Sequence, residues 1–529
     1  MVTLKDIGYI HPDKDLLFSD INLTINKYDK AALIGNNGIG KSTLLQIMAG
    51  KLRPSVGSIV KDSLPYYVPQ LYGQFNDLTI ANALQVHEKL NALKEILGGS
   101  VTTENMTLLD DDWTIEERCK EALSHWELEE LDLSQKVGTL SGGQKTKLFL
   151  AGISIHKPQI VLLDEPSNHL DVTGRTILYD YINTATNTLI IVSHDRTLLN
   201  LLDTICELRN DGVVVYGGNY DFYVAQKAIE INAFNDDLRN KEKALRKAKD
   251  IERESVERQQ KLDARGRKKQ EKAGLPTISM NTLKNNAEKS TARMKDVHTE
   301  KVHSIAQEVD KMRKGAADKD KIKIGIDNST LHRGKILVTA KSINHKYSDK
   351  LLWEDGLSFQ IISGQRIAIA GVNGSGKTTL IKLLLGELQP VLGIIQRAEV
   401  DPIYIDQDYS LIDNRLTVYE QVQQYNTDNL LEYEVKSRLT HFLFTKADWD
   451  KPCETLSGGE KMRLILCCLT IKNTAPDMII LDEPTNNLDI QNVEILTSAI
   501  NDYKGTVIVV SHDNYFIGQI NVTERIELG

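Results

Sequence analysis

Five groups of residues in this chain could do phosphate chemistry, and each occurs twice in the same order. GNNGIGKST spans 35–43 and GVNGSGKTT spans 371–379. In the spacing GxxxxGK[ST], glycines let backbone N–H groups close around phosphates, the lysine meets the terminal phosphates and the hydroxyl ligates Mg²⁺. The predicted phosphate loops are therefore Gly35, Asn36, Asn37, Gly38, Ile39, Gly40, Lys41, Ser42 and Thr43, and Gly371, Val372, Asn373, Gly374, Ser375, Gly376, Lys377, Thr378 and Thr379. Apolar runs end in Asp164-Glu165 and Asp482-Glu483. The Asp of each pair is expected to hold Mg²⁺, mostly through water, and the Glu to polarise an attacking water. Gln70 in YYVPQ and Gln407 in YIDQD sit where an amide could touch the same metal. His194 and His512, each in SHD after a β-branched run, could contact a γ-phosphate. Elsewhere an Asp-Glu pair is a helix cap, a loop Gln a solvated side chain and a strand-end His a packing residue. Here each recurs in register beside the other motifs.

The fifth group, LSGGQ at 140–144 and LSGGE at 456–460, does nothing for phosphate within its own repeat. Ser141, Gly142, Gly143 and Gln144, like Ser457, Gly458, Gly459 and Glu460, are suited to present a helix N-terminus to an anion.

The elements that must position these groups read as alternating strands and helices. Short apolar strands (Ala31–Ile34, Ile367–Ala370) run into the Gly-rich turns, and amphipathic helices start at Lys41 and Lys377. Each repeat is thus predicted to be an α/β domain on a largely parallel sheet, spanning 1–224 and 336–529. The offset between copies drops from 336 residues at Lys41/Lys377 to 316 at Ser141/Ser457. The first copy therefore carries about 20 extra residues, placed in the polar and acidic stretch 84–113.

Residues 225–335 differ in composition. The stretch 225–272 lacks Pro and is rich in helix formers, with Ile231, Phe234, Leu238 and Leu245 at near-heptad spacing. After Gly274-Leu275-Pro276, a second helix is predicted from 285 to 314, with Val302, Ile305, Val309 and Met312 at 3-4-3 spacing. Matching stripes predict an antiparallel coiled-coil hairpin with its tip near 274–286; the alternative is a flexible charged linker. Residues 226–330 hold 26 Lys/Arg against 18 Asp/Glu, a net of +8, and the remainder carries −17. One segment supplies the whole positive excess of a chain whose net charge is −9.

Other classes are disfavoured. No apolar run approaches the ~18–20 residues that span a bilayer, and the start of the chain lacks a signal-peptide core. The five cysteines show no CxxC spacing, as expected of reduced thiols in a cytoplasmic protein.

The motifs resemble those of the ATP-binding cassette family. That resemblance implies two ATP molecules, each sandwiched between the phosphate loop of one domain and the signature motif of the other. Ser141–Gln144 would then complete the site built on Lys377, and Ser457–Glu460 the site built on Lys41. Glu460 stands where Gln is usual. For adenine stacking, Tyr347 fits the second copy, while Tyr9 and His11 compete in the first.

The order cassette, basic hairpin, cassette resembles the ABC-F subfamily. In that subfamily the linker enters the ribosome at the tRNA exit site and approaches the P-site tRNA. The implied partners are rRNA and P-site tRNA, met by the hairpin of a monomer whose own cassettes pair. Exposed Leu275, Pro276, Ile278, Met280 and Leu283 would be the tip. A cluster-bearing recycling factor would need a Cys-rich N-terminus, and the first cysteine here is Cys119. Three roles remain: antibiotic protection of the ribosome, toward which the short insertion and long linker lean; a housekeeping translation factor; or, from another class, the ATPase of an exporter.

Overall fold

The computed structural model describes residues 1–11, 16–273, 299–313, 332, 334–347, 350–372, 374–427, 429–472, 474–486 and 488–528. Between 259 and 273 side chains are described only at 261, 262 and 265. Asn373 and the expected tip at 274–286 lie outside the described residues.

In the first cassette the run Lys30–Ile34 has buried residues on both faces, the pattern of an interior parallel strand. It sits fourth in a six-stranded sheet ordered Tyr66–Val68, Ile160–Asp164, Thr188–Val192, Lys30–Ile34, Thr204–Arg209, Gly212–Tyr216. All neighbours are parallel except the last pair, a hairpin. The second cassette repeats this with Pro402–Ile405, Met478–Asp482, Thr506–Val510, Arg366–Gly371 and Glu524–Leu528. The glycine loops, Gln70, Gln407, the Asp-Glu pairs and the SHD histidines lie at or just after the C-terminal ends of these strands, where an open α/β sheet presents ligands.

A three-stranded antiparallel sheet accompanies each: Leu16–Ile25, Val2–Ile10 and Val56–Lys61 in the first, Leu357–Ile362, Ile336–Asn344 and Leu392–Arg397 in the second. Leu4, Ile7 and Phe18 of the first antiparallel sheet pack with Leu44, Leu45 and Met48 of the helix Lys41–Ala49 and with Leu162 of the parallel sheet. That helix starts after Gly40 and ends at Gly50, both left-handed. A Cβ on Gly40 would lie 2.7 Å from Leu17 and Phe18, so glycine is required for the close approach.

Within the stretch 84–113 of the first cassette lie helices His87–Leu97 and Thr103–Leu109, whose Leu93, Ile96 and Leu109 are buried in the core. Asp112 fixes the exit, accepting two bonds from Arg118 (2.7 and 2.8 Å) and one from Lys89 (3.2 Å).

The described residues of Val224–Lys321 form a separate compact body. The helix Tyr220–Ala273, roughly 80 Å long, enters it at residue 224 and is accompanied there by a helical run over 299–313. Lys241 pairs with Glu308 (2.6 Å), Arg313 with Glu242 (2.6 Å), and Thr299 donates to Glu252 (2.9 Å). From Glu242/Arg313 to Glu252/Thr299 the numbers rise on one helix and fall on the other, so the two run antiparallel. The predicted stripe is the covered face: Ile231, Phe234, Leu238, Leu245, Val302, Ile305 and Met312 are half-buried and Val309 is buried. Among the described residues, no helix is long and apolar enough to cross a membrane.

Candidate functional site

Lys41 begins its helix and is 8% exposed, its amine donating to the carbonyls of Gly35 (2.8 Å) and Asn36 (3.2 Å). Lys377 does the same to Gly371 (2.8 Å) and Val372 (3.2 Å). Each lysine thus spans its own loop. Burial lowers the pKa of both, against the pull of Glu165, Asp489 and Asp164 at Lys41 and of Glu483, Asp482 and Asp171 at Lys377.

Asp164 accepts from Ser42 (3.1 Å) and from the Tyr67 hydroxyl (3.1 Å). Asp482 accepts from Tyr404 (3.0 Å) and is also bonded by Thr378. Burial pushes both carboxyls up. A hydroxyl and a carboxylate side by side suit a hard cation that keeps most of its other ligands as water and phosphate.

Each following glutamate takes the left-handed conformation, φ 50° at Glu165 and 49° at Glu483, which costs a non-glycine residue about 1–2 kcal/mol. The same strain in both copies marks a functional position. One further sheet-like bond holds it: Glu165 N donates to Val192 O, and Glu483 N to Val510 O, both at 2.8 Å. Each carboxylate then accepts from a histidine backbone amide (His194 and His512, both 3.3 Å) and lies 3.3 Å from that imidazole's Nε2. Burial, opposed by the neighbouring cations, raises both glutamates to about 7. Burial and Lys41 hold His194 well below its ordinary value, and burial with Lys377 and Arg175 takes His512 down to about 4. Both histidines are therefore neutral at physiological pH. The His194 Nδ1 and the Ser375 hydroxyl are buried without a protein partner. These unmet polar atoms and the glycine cradle fit a phosphate chain with its cation.

A cavity of about 390 Å³ joins Asn37, Gly38, Gly40, Lys41, Ser42, Thr43, Gln70, Glu165 and His194 of the first cassette to Ser457 and Gly458 of the second. His11 and Leu17 line it too. Gln407 is exposed. Tyr347 is exposed at the second loop, its hydroxyl 3.1 Å from that of Thr379. Ser141 and Ser457 each cap a helix in a full capping box with Gln144 and Glu460.

Sequence reasoning missed the residues that lock these groups. Tyr67 and Tyr404 steady the metal-side aspartates. Asp489 accepts from Asn37 N (3.0 Å), carrying a second-cassette carboxylate onto the first phosphate loop. Its counterpart Asp171 acts electrostatically on Lys377. Arg196, 4% exposed, reaches Gln519 (3.1 Å) and stacks on Tyr515 (4.8 Å). The duplicated NHLD and NNLD carried a signal for Asp171 and Asp489. Arg196 has Asn514 as its counterpart and left no such trace.

Comparison with known proteins agrees with this geometry. The family model described as ABC transporter matches residues 18–168 and 355–486. The chain is similar to ABC transporter F family member 5 of Arabidopsis thaliana, 31% identical over 95% of this chain and 72% of that protein. It is also similar to the energy-dependent translational throttle protein EttA of Mycobacterium tuberculosis, 28% identical over 97% of this chain and 89% of that one. Among solved structures, RNase-L Inhibitor shares the twin-cassette fold, with a TM-score of 0.59 at 20% identity over 98% of this chain and 86% of that chain. Two cassettes whose motif residues converge on one cleft define an ATP-binding cassette protein. Within that class, this chain belongs to the ABC-F family.

Proposed function

We propose that the chain binds two Mg·ATP between its cassettes and hydrolyses them, and that its basic hairpin acts on the ribosome. The observation that carries the nucleotide reading is the cavity in which Ser457 and Gly458 meet Lys41, Glu165 and His194. In each site Lys41 or Lys377 neutralises terminal phosphate charge, and the backbone amides of the glycine loop hold the chain of phosphates. Ser42 with Asp164, and Thr378 with Asp482, would hold Mg²⁺, which supplies charge neutralisation at the phosphates. Glu165 or Glu483 takes the proton of the attacking water, and the backbone amide of His194 or His512 fixes the carboxylate's orientation. Glu165→Gln with Glu483→Gln should keep ATP bound while turnover falls by at least about 100-fold, in line with loss of a general base. Wild-type turnover in that variant would overturn the assignment.

The ribosomal reading rests on the ABC-F family, on the translational role in the name of EttA, and on the segregation of positive charge to 226–330. Phosphate contacts supply affinity for RNA, while an acidic body avoids adhering elsewhere. The hairpin is read as entering at the tRNA exit site, with rRNA and P-site tRNA as partners. The short insertion and long linker favour protection against ribosome-targeting antibiotics. Co-sedimentation of the double glutamine variant with 70S ribosomes should weaken steeply with salt. Changing Arg265, Arg267, Lys268 and Lys269 to Ala should flatten the log–log slope by up to about four units. Growth of a sensitive host on lincosamides, pleuromutilins, macrolides and phenicols tests protection. Absence of ATP-dependent ribosome association, alongside co-purification with a membrane protein, would favour the exporter reading instead.

A further inference from the structure

The two signature loops are built differently, and the difference is paired. In the first, the Gln144 side chain accepts from the Ser141 amide (3.0 Å), and the Ser141 hydroxyl proton has no protein acceptor among the described residues. The residue nine positions upstream, Gln135, donates to Thr139 (2.7 Å). In the second loop both glutamine positions are charged: Gln135 corresponds to Lys451 and Gln144 to Glu460. Glu460 accepts from the Ser457 amide (2.8 Å) and from the Ser457 hydroxyl (2.7 Å), while the Lys451 amine donates to its other oxygen (2.9 Å). Both charged side chains are largely covered, Lys451 at 32% and Glu460 at 24% exposure.

We propose that Lys451 and Glu460 form a charge-balanced pair that controls the Ser457 hydroxyl, and thereby sets the affinity of the Lys41 site alone for the terminal phosphate of a nucleoside triphosphate. This rests on the Mg·ATP reading above. Ser457 lines the cavity that holds Lys41 and Glu165, so its hydroxyl lies within reach of an anion bound there. Burial raises the Glu460 carboxyl, but the Ser457 bonds and Lys451 outweigh it and keep it ionised. An ionised carboxylate carries no proton, so the serine must be the donor, and its single proton is committed to Glu460. To donate to phosphate the hydroxyl has to rotate away, and the carboxylate it leaves repels the incoming anion. Lys451 offsets that repulsion. In the other composite site neither the competition nor the compensation exists. Lys451 and Glu460 are positioning residues acting through Ser457.

The test titrates Mg·ATP into the Glu165→Gln/Glu483→Gln chain carrying Ser141→Arg, which confines binding to the Lys41 site. Adding Lys451→Gln should weaken binding about fivefold, the scale of a partly covered charge pair. Glu460→Gln should tighten it about two- to fivefold by freeing the serine and removing a negative charge. Lys451→Gln with Glu460→Gln, which recreates the first loop's arrangement, should return affinity to within about twofold of the parent or better. Lys451→Arg should preserve it. A pair that merely caps the helix predicts the reverse for Glu460→Gln, with weaker binding and a lower melting temperature, and that result overturns the proposal. So does equal weakening in Lys451→Gln and in the double variant, or no effect of either. Absence of saturable Mg·ATP binding in the parent without Ser141→Arg would overturn the nucleotide reading itself.

Discussion

Glu165 and Glu483 tie activity and stability to the same protons with opposite signs. Burial raises both carboxyls to about 7, so each must lose its proton before it can accept one from water. Turnover should therefore climb through a pH of about 7. The neutral histidines add no limb there, since His194 is held well below its ordinary value and His512 is taken down to about 4. A steady-state pH profile that is flat from 6 to 8 on this scale, with chemistry rate-limiting, would contradict that (roughly the window set by a carboxyl near 7). Stability moves the other way. The folded chain binds more protons than the unfolded one between the unfolded glutamate value of about 4.3 and the folded value near 7. Unfolding free energy should thus fall as pH rises across that window, more gently in the Glu165→Gln/Glu483→Gln variant, as urea titrations at several pH values can measure. The chemistry-bearing residues were legible because phosphate binding demands particular types at fixed spacing, and duplication removed the ambiguity of any single Asp-Glu or His. Tyr67 and Tyr404 were not legible: a hydroxyl that steadies an aspartate from the neighbouring strand obeys no local spacing.

At the scale of elements, strand and helix alternation was readable because buried parallel strands such as Ile160–Asp164 are continuous apolar runs. Helices His87–Leu97 and Thr103–Leu109 of the first cassette were not, because their polar faces dominate the composition while Leu93, Ile96 and Leu109 supply the contact with the core. Leu109→Ala should cost about 2–4 kcal/mol as a large-to-small change at a fully buried site. Denaturant unfolding checks this, and an exposed appendage would instead lose less than about 0.5 kcal/mol. The signature helices are elements that act across the interface. Ser141→Arg should abolish nucleotide at the Lys377 site and spare the Lys41 site, whose cavity is lined by Ser457. Site-resolved occupancy in the trapped protein distinguishes this from loss at Lys41, which would contradict the crossed arrangement. The contact from Asn37 to Asp489 joins residues 452 positions apart, a distance no periodicity can bridge.

For the whole molecule, charge and shape divide the labour: a body of net −17 and a basic segment of net +8. Changing Leu275, Ile278 and Met280 to Ser leaves those charges in place. Ribosome affinity should then fall by less than about threefold, since phosphate contacts dominate it, while the effect on translation or drug tolerance is lost; co-sedimentation scored beside growth separates the two. The strand order of the two sheets has another consequence, for how the chain is born. Lys30–Ile34 is completed on both sides only by Thr188–Val192 and Thr204–Arg209. At ~5–20 residues per second, the early strand waits about 10–30 seconds for those neighbours. Arg366–Gly371 waits likewise for Thr506–Val510 and Glu524–Leu528. Each nascent cassette therefore carries an unpaired, aggregation-prone strand through most of its own synthesis. The first can close before the hairpin has been made, and the second only when residue 528 is free of the tunnel, so pauses placed within 366–505 would lengthen the chain's dependence on chaperones while pauses within the hairpin would not.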